Sequence, residues 1–137
     1  MELKYKMQNV VLVKPGDRGA NTAQTIGMTR QGAITPDLCS SKGLWMGFVS
    51  APPGSSGAHH HEGAESGIYV LKGRIKIHFG DMLADSVIAE AGDFLYIPPF
   101  APHIEENLSH NEIAELIVAR NSAEYMVTNL PELLNKA

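Results

Sequence analysis

The chain has 137 residues, the size of one ordinary domain, and 44% of them are hydrophobic, enough to build a core without staples. Eleven basic residues against fifteen acidic ones give a formal charge of −4, which argues against a nucleic-acid partner or an anionic membrane surface. The single cysteine, Cys39, excludes an intramolecular disulfide and points to a reducing, cytoplasmic setting.

The opening residues Met1 to Lys6 lack the apolar stretch of a signal peptide, and no apolar run nears the roughly 18 residues of a membrane helix. A soluble cytoplasmic protein is expected. Val10–Val13 reads as a first strand, closed by Pro15 and Gly16. Residues 16 to 43 carry Gly19, Gly27, Gly32, Gly43 and Pro36, and read as short strands joined by loops. The pattern then sharpens. Leu44–Val49 is an apolar strand, and Pro52–Gly57 is a loop. Ala58–His61 is a short strand and Ile68–Leu71 a buried one, turning at Lys72 and Gly73. Arg74–Phe79 alternates, with Ile75, Ile77 and Phe79 on one side and Arg74, Lys76 and His78 on the other. Ser86–Ala89, Phe94–Ile97, a strand starting at Ile104, and Ala114–Ala119 follow. Asn129 to Leu134 reads as a short C-terminal helix with Pro131 in its first turn. About nine strands with little helix predict an all-β domain, closed or doubly layered so that sheet edges are removed.

Three of the six histidines are consecutive: His59, His60 and His61. In a strand, residues two apart share a face, so His59 and His61 aim at one point while His60 aims away. Neutral imidazole is the commonest side-chain metal ligand. Glu65 follows four residues later, beyond a turn at Gly63 and Ala64 that returns the chain toward that point.

The run Gly54-x4-His59-x-His61-x3-Glu65-x7-Gly73 resembles the first conserved motif of the cupin superfamily. The run Gly92-x5-Pro98-x-Phe100-x2-His103-x3-Asn107 is similar to the second, with Phe100 standing where the family favours glycine. The resemblance covers about residues 44–120 of a single domain, 1–137, with N-terminal strands and loops before it and a tail after it. It implies a cupin double-stranded β-helix, a jelly-roll barrel. It also implies that His59, His61, Glu65 and His103 hold one divalent transition metal, Fe, Mn, Zn or Ni. Three imidazoles and one carboxylate suit such an ion and leave one or two positions open. One departure stands out. Counted back from Gly73, the family's glutamate falls at Ser66, not Glu65, and a slip of one residue turns a side chain away. Either a bulge restores Glu65, or His60, Glu62 or water takes its place.

Glu105, two residues after His103, shares that face and could hydrogen-bond a ligand histidine. Tyr96 and Tyr69 could supply a hydroxyl for acid–base work. Arg30 could reach a substrate carboxylate, although a surface position is the simpler reading. His78 and His110 read as surface residues. The resemblance implies a metal-dependent enzyme acting on a small organic acid or aromatic molecule by direct coordination: a dioxygenase, or a non-redox cyclase or isomerase. In that setting Glu65 and Tyr96 are the candidate catalytic residues. A small-ligand binding or sensing domain is the alternative. A homodimer, with the first strand exchanged between subunits, is the expected assembly.

Overall fold

A computed structural model describes residues 6–136 of the chain. Its strands are β1 (Thr29–Ile34), β2 (Trp45–Ala51), β3 (Gly54–Ser55), β4 (His59–His60), β5 (Ser66–Lys72), β6 (Arg74–Phe79), β7 (Asp85–Glu90), β8 (Phe94–Ile97), β9 (Ile104–Asn107), β10 (Ala114–Arg120) and β11 (Thr128–Asn129). Among the described residues, helix is confined to one turn at Pro36–Cys39 and to short 3-10 segments, including Pro131–Lys136 where the sequence predicts a C-terminal helix. None of the described helices is long and apolar enough to cross a membrane.

The strands form a sandwich. One sheet has the order β1-β2-β10-β5-β8 and the other β3-β9-β6-β7, while β11 and β4 make a small ribbon. All the pairings are antiparallel. Alternation decides what goes inside. On β10, Ala114, Leu116, Val118 and Arg120 are buried; on β2, Trp45, Gly47, Val49 and Ala51 are. From the second sheet Ile75, Ile77 and Ala89 meet Val49, Ile68, Val70 and Leu116 in one apolar cluster. The same alternation carries Arg30 inward from β1 and Arg120 inward from the end of β10.

The expected strand at Val10–Val13 is not formed. Residues 6–14 pair with no strand among the described residues, and Val10 is 97% exposed. An apolar run becomes a strand only where a sheet edge shares its backbone hydrogen bonds, and this run meets none.

Two turns explain local sequence choices. Gly73 sits at φ +92 between β5 and β6, a backbone conformation that favours glycine, and a Cβ there would also crowd the Ala114 side chain at 3.1 Å. Phe100 also lies in the left-handed region, at φ 55. That geometry suits the glycine favoured at this motif position. Phe100 holds it because its N–H donates to the Glu62 carbonyl at 2.7 Å and its ring packs on His60.

Candidate metal centre

Two strand starts are stitched together at the site. His59 and His103 exchange backbone hydrogen bonds of 3.1 and 2.9 Å, so β4 and the entry to β9 run side by side. On each, every second residue faces the interior. The result gathers His59, His61, His103 and Glu105, all buried, with one donor atom from each lying within 4.8 Å of the others.

The imidazoles are oriented from behind. Nδ1 of His59 lies 2.7 Å from the Gly57 carbonyl oxygen, Nδ1 of His61 3.0 Å from that of Met126, and Nδ1 of His103 2.9 Å from that of Ala101. A carbonyl only accepts, so each Nδ1 carries the proton and each Nε2 is left with its lone pair toward the cluster. Glu105 Oε1 stands 3.1 Å from Nε2 of His103 and 3.7 Å from Nε2 of His59. Acceptor therefore faces acceptor unless a proton or a cation lies between them. His59 Nε2 and Glu105 Oε2 are buried without a hydrogen-bond partner. Orphaned, converging lone pairs of this kind fit a metal ion.

The field around the cluster keeps it ready for a cation. Burial pushes His61 down to about 2, helped by Arg120, and burial pushes His59 down to about 4 although Glu105 opposes the shift. Burial would raise the Glu105 carboxyl, but the His103 hydrogen bond, the neighbouring His59 and His103 rings and the Arg30 guanidinium outweigh it and hold the group below the usual carboxylate range. His59 and His61 are therefore neutral, and Glu105 ionised, near neutral pH.

These shifts set the pH dependence of the metal-free protein. Folded His59 and His61 bind fewer protons than the unfolded chain between their lowered values and the ordinary 6.5. Stability is therefore lost as pH falls through that window, and the depressed Glu105 removes more below the usual carboxylate range. Thermal unfolding at pH 7.5 and pH 5 should show a loss of a few kcal/mol, roughly 10 °C in midpoint, at the lower pH. Equal midpoints would contradict the neutral state of the histidines.

The expected carboxylate is elsewhere. Glu65 is exposed; its side chain accepts from Tyr96 Oη at 2.5 Å and from Asn121 Nδ2 at 3.2 Å. Ser66, the next residue, points inward instead, its buried hydroxyl lining the cavity without a partner. No bulge rescues Glu65, and Glu105 supplies the carboxylate from β9. His60 and Glu62 also stand outside the cluster, bonded to each other at 2.9 Å through the Glu62 N–H. Tyr96 is largely exposed, and the Glu65 hydrogen bond raises its phenol further above its ordinary value. Its place is the rim of a pocket, not the cluster. His78 pairs with Glu106 on the sheet surface and His110 is exposed. Asn107, the last residue of the second motif, serves the fold: its Nδ2 donates to the carbonyls of Ala51 and Glu112, both at 2.8 Å.

Arg30 is interior, only 1% exposed, and not at the surface. Its guanidinium lies 4.6 Å from the ring centre of Tyr125, and that of Arg120 lies 4.1 Å from it. Tyr125 in turn stands edge-on to His61 at 5.2 Å and to Trp45 at 4.3 Å. No sequence spacing links Tyr125 to the motifs. Only the return of β11 along β4 brings it there.

Two spaces adjoin the cluster. The inner one, about 10 Å³, is walled by Arg30, Ser66, Tyr125, His61, His103 and Glu105 among others. The outer one is an apolar pocket of about 550 Å³ between β6, β7 and β8, lined by Ile77, Phe79, Val87, Leu95, Tyr96 and others, and it ends on His103. The two share His103 and Ile97.

A family model described as a cupin domain matches residues 47–120, over half of the chain. The chain is a cupin. No curated protein matches this cupin in sequence. Among solved structures it is similar to oxalate decarboxylase from Bacillus subtilis at pH 4.6, with TM-score 0.66, 20% identity, 78% of this chain and 28% of that chain covered. A study of the Mn(II) centres of the same enzyme gives TM-score 0.66, 19% identity, and 80% and 29% coverage. Peruvianin-I, described as a cysteine peptidase from Thevetia peruviana latex, gives TM-score 0.70, 17% identity, and 88% and 77% coverage. This cupin thus spans under a third of the decarboxylase chains, and at these identities the likeness shows the shared fold. The four-residue cluster is one that could hold a metal ion.

Proposed function

We propose that this cupin is a metal-dependent enzyme that holds one divalent transition-metal ion with His59, His61, His103 and Glu105 and acts on a small organic molecule. The carrying observation is the convergence of three Nε2 lone pairs, each fixed by an Nδ1–H donated to a backbone carbonyl, on a buried ionised carboxylate. At a six-coordinate ion such as Mn(II) or Fe(II), four protein donors leave two positions for exogenous ligands, the opening a catalytic site needs. The Mn(II) centres named for oxalate decarboxylase support keeping manganese among the candidates Fe, Mn, Zn and Ni.

When bound, such an ion supplies Lewis acidity and, if it is redox-active, electron transfer. The chain's own residues do the rest. Glu105 offsets part of the ion's charge, and the three backbone carbonyls keep the imidazoles from turning. Ile97, Leu95 and Val87 exclude water from the approach to His103. Ser66 presents a free hydroxyl within the inner cavity, able to hydrogen-bond a ligand there.

Elemental analysis of purified protein, followed by oxygen-uptake and turnover assays on a panel of aromatic and aliphatic acids, tests the reading. About one equivalent of metal with oxygen-dependent turnover points to a dioxygenase, and the same metal with oxygen-independent turnover to a cyclase or isomerase. Metal with ligand binding but no turnover points to a binding or sensing domain. Protein that takes up no divalent metal when supplied in excess would refute the proposal.

A further inference from the structure

Charge is unbalanced inside this sandwich. Among the described residues the buried charged side chains are Arg30, Arg120 and Glu105, two cations against one anion. His59 and His61 add no negative charge to offset them. A divalent ion at the cluster widens the excess to three positive charges, and an excess held away from water is most directly relieved by a bound anion. Arg120 spends two donors on backbone carbonyls, those of His61 at 3.1 Å and Met126 at 3.4 Å. Arg30 is less satisfied. Its guanidinium meets the backbone at one long contact, 3.4 Å to the Ala23 carbonyl, its Nε has no partner, and it lines the inner cavity.

The outer pocket has the opposite character. Its walls carry no cation, and about 550 Å³ of it is bounded by aliphatic, aromatic and proline side chains, with His103 at the end. A space of that size suits a small molecule with an apolar body.

We propose that the ligand of this centre is an amphipathic monocarboxylate, whose anionic end meets the metal within the field of Arg30 and whose carbon skeleton occupies the pocket between β6, β7 and β8. This rests on the metal-dependent reading above and adds the chemical class of its ligand. A site that supplies unpaired positive charge accepts an acid and rejects its neutral isostere.

The test is calorimetry on the full chain loaded with Zn(II), its metal content measured on the same sample, with hexanoate, hexanamide and acetate as probes. Hexanoate should bind at least ~10-fold more tightly than hexanamide, because the charge is read, and ~10-fold more tightly than acetate, because the body is read. Arg30→Gln should erase most of the acid-over-amide preference. Val87→Trp, at a half-exposed position on the pocket wall, should reduce hexanoate to the level of acetate. Loaded wild-type protein that binds acid and amide within a factor of about two, or hexanoate no better than acetate, overturns the inference while leaving the metal reading intact. The wild-type comparison decides this even if a variant fails to fold. Protein that takes up no Zn(II) sinks the metal reading itself.

Discussion

Glu105→Gln should weaken divalent-metal affinity by about 100-fold or more, while Glu65→Gln leaves it unchanged. The two substitutions are matched in size and chemistry, so the contrast isolates position. Glutamine at 105 keeps the volume and can still meet His103, but it removes the one buried negative charge among the described residues. The ion would then face the imidazoles under the field of Arg30 and Arg120, with nothing to offset four positive charges. Glutamine at 65 loses an exposed contact to Tyr96 and Asn121, which screening by water makes worth little. Competition with a chromogenic chelator measures both affinities. Equal losses in the two variants would contradict the assignment of the carboxylate to β9.

Trp45→Ala should lower stability by roughly 3–5 kcal/mol, about 10–20 °C in unfolding midpoint, and should also loosen the site. Trp45 is almost wholly buried and is the largest such side chain among the described residues. It lies on a floor made by two glycines: a Cβ on Gly47 would come within 2.4 Å of its ring, and one on Gly32 within 3.5 Å of its Nε1. Alanine therefore leaves a cavity that the rigid sheet cannot close. Its indole also supports Tyr125, which stands against His61. Differential scanning calorimetry gives the stability loss. Weaker metal binding in the same variant, measured below its unfolding temperature, gives the coupling. A loss under about 1 kcal/mol would mean the indole is not the wedge described.

The sandwich was legible because alternation and turn residues are local signals. Arg74–Phe79 and Phe94–Ile97 form with the bounds expected, and the burial of Ile75 and Ile77 follows the period of two. The histidines were legible because spacing of two on a strand fixes a shared face. The carboxylate was not, because one residue of register separates Glu65 from Ser66, and the backbone follows the count back from Gly73. Glu105 obeys the same rule of two from His103, so its place was within reach of the sequence. Arg30 and Tyr125 were beyond it. Nothing near either in the chain says that β1 and the C-terminal segment close on the histidines from opposite ends. Val10–Val13 shows the converse: the residues suit a strand, yet no partner edge exists for them among the described residues.

His61 takes its orientation from the Met126 carbonyl, and β4 is flanked by β11, both beyond the residue at which the family match ends. A fragment trimmed to the recognisable cupin segment would retain every histidine and Glu105 yet surrender the clasp that aims one of them. Anyone grafting this centre into another scaffold must therefore transplant residues 121–130 with it, since the last stretch of polypeptide works as part of the coordination apparatus and not as a dispensable tail.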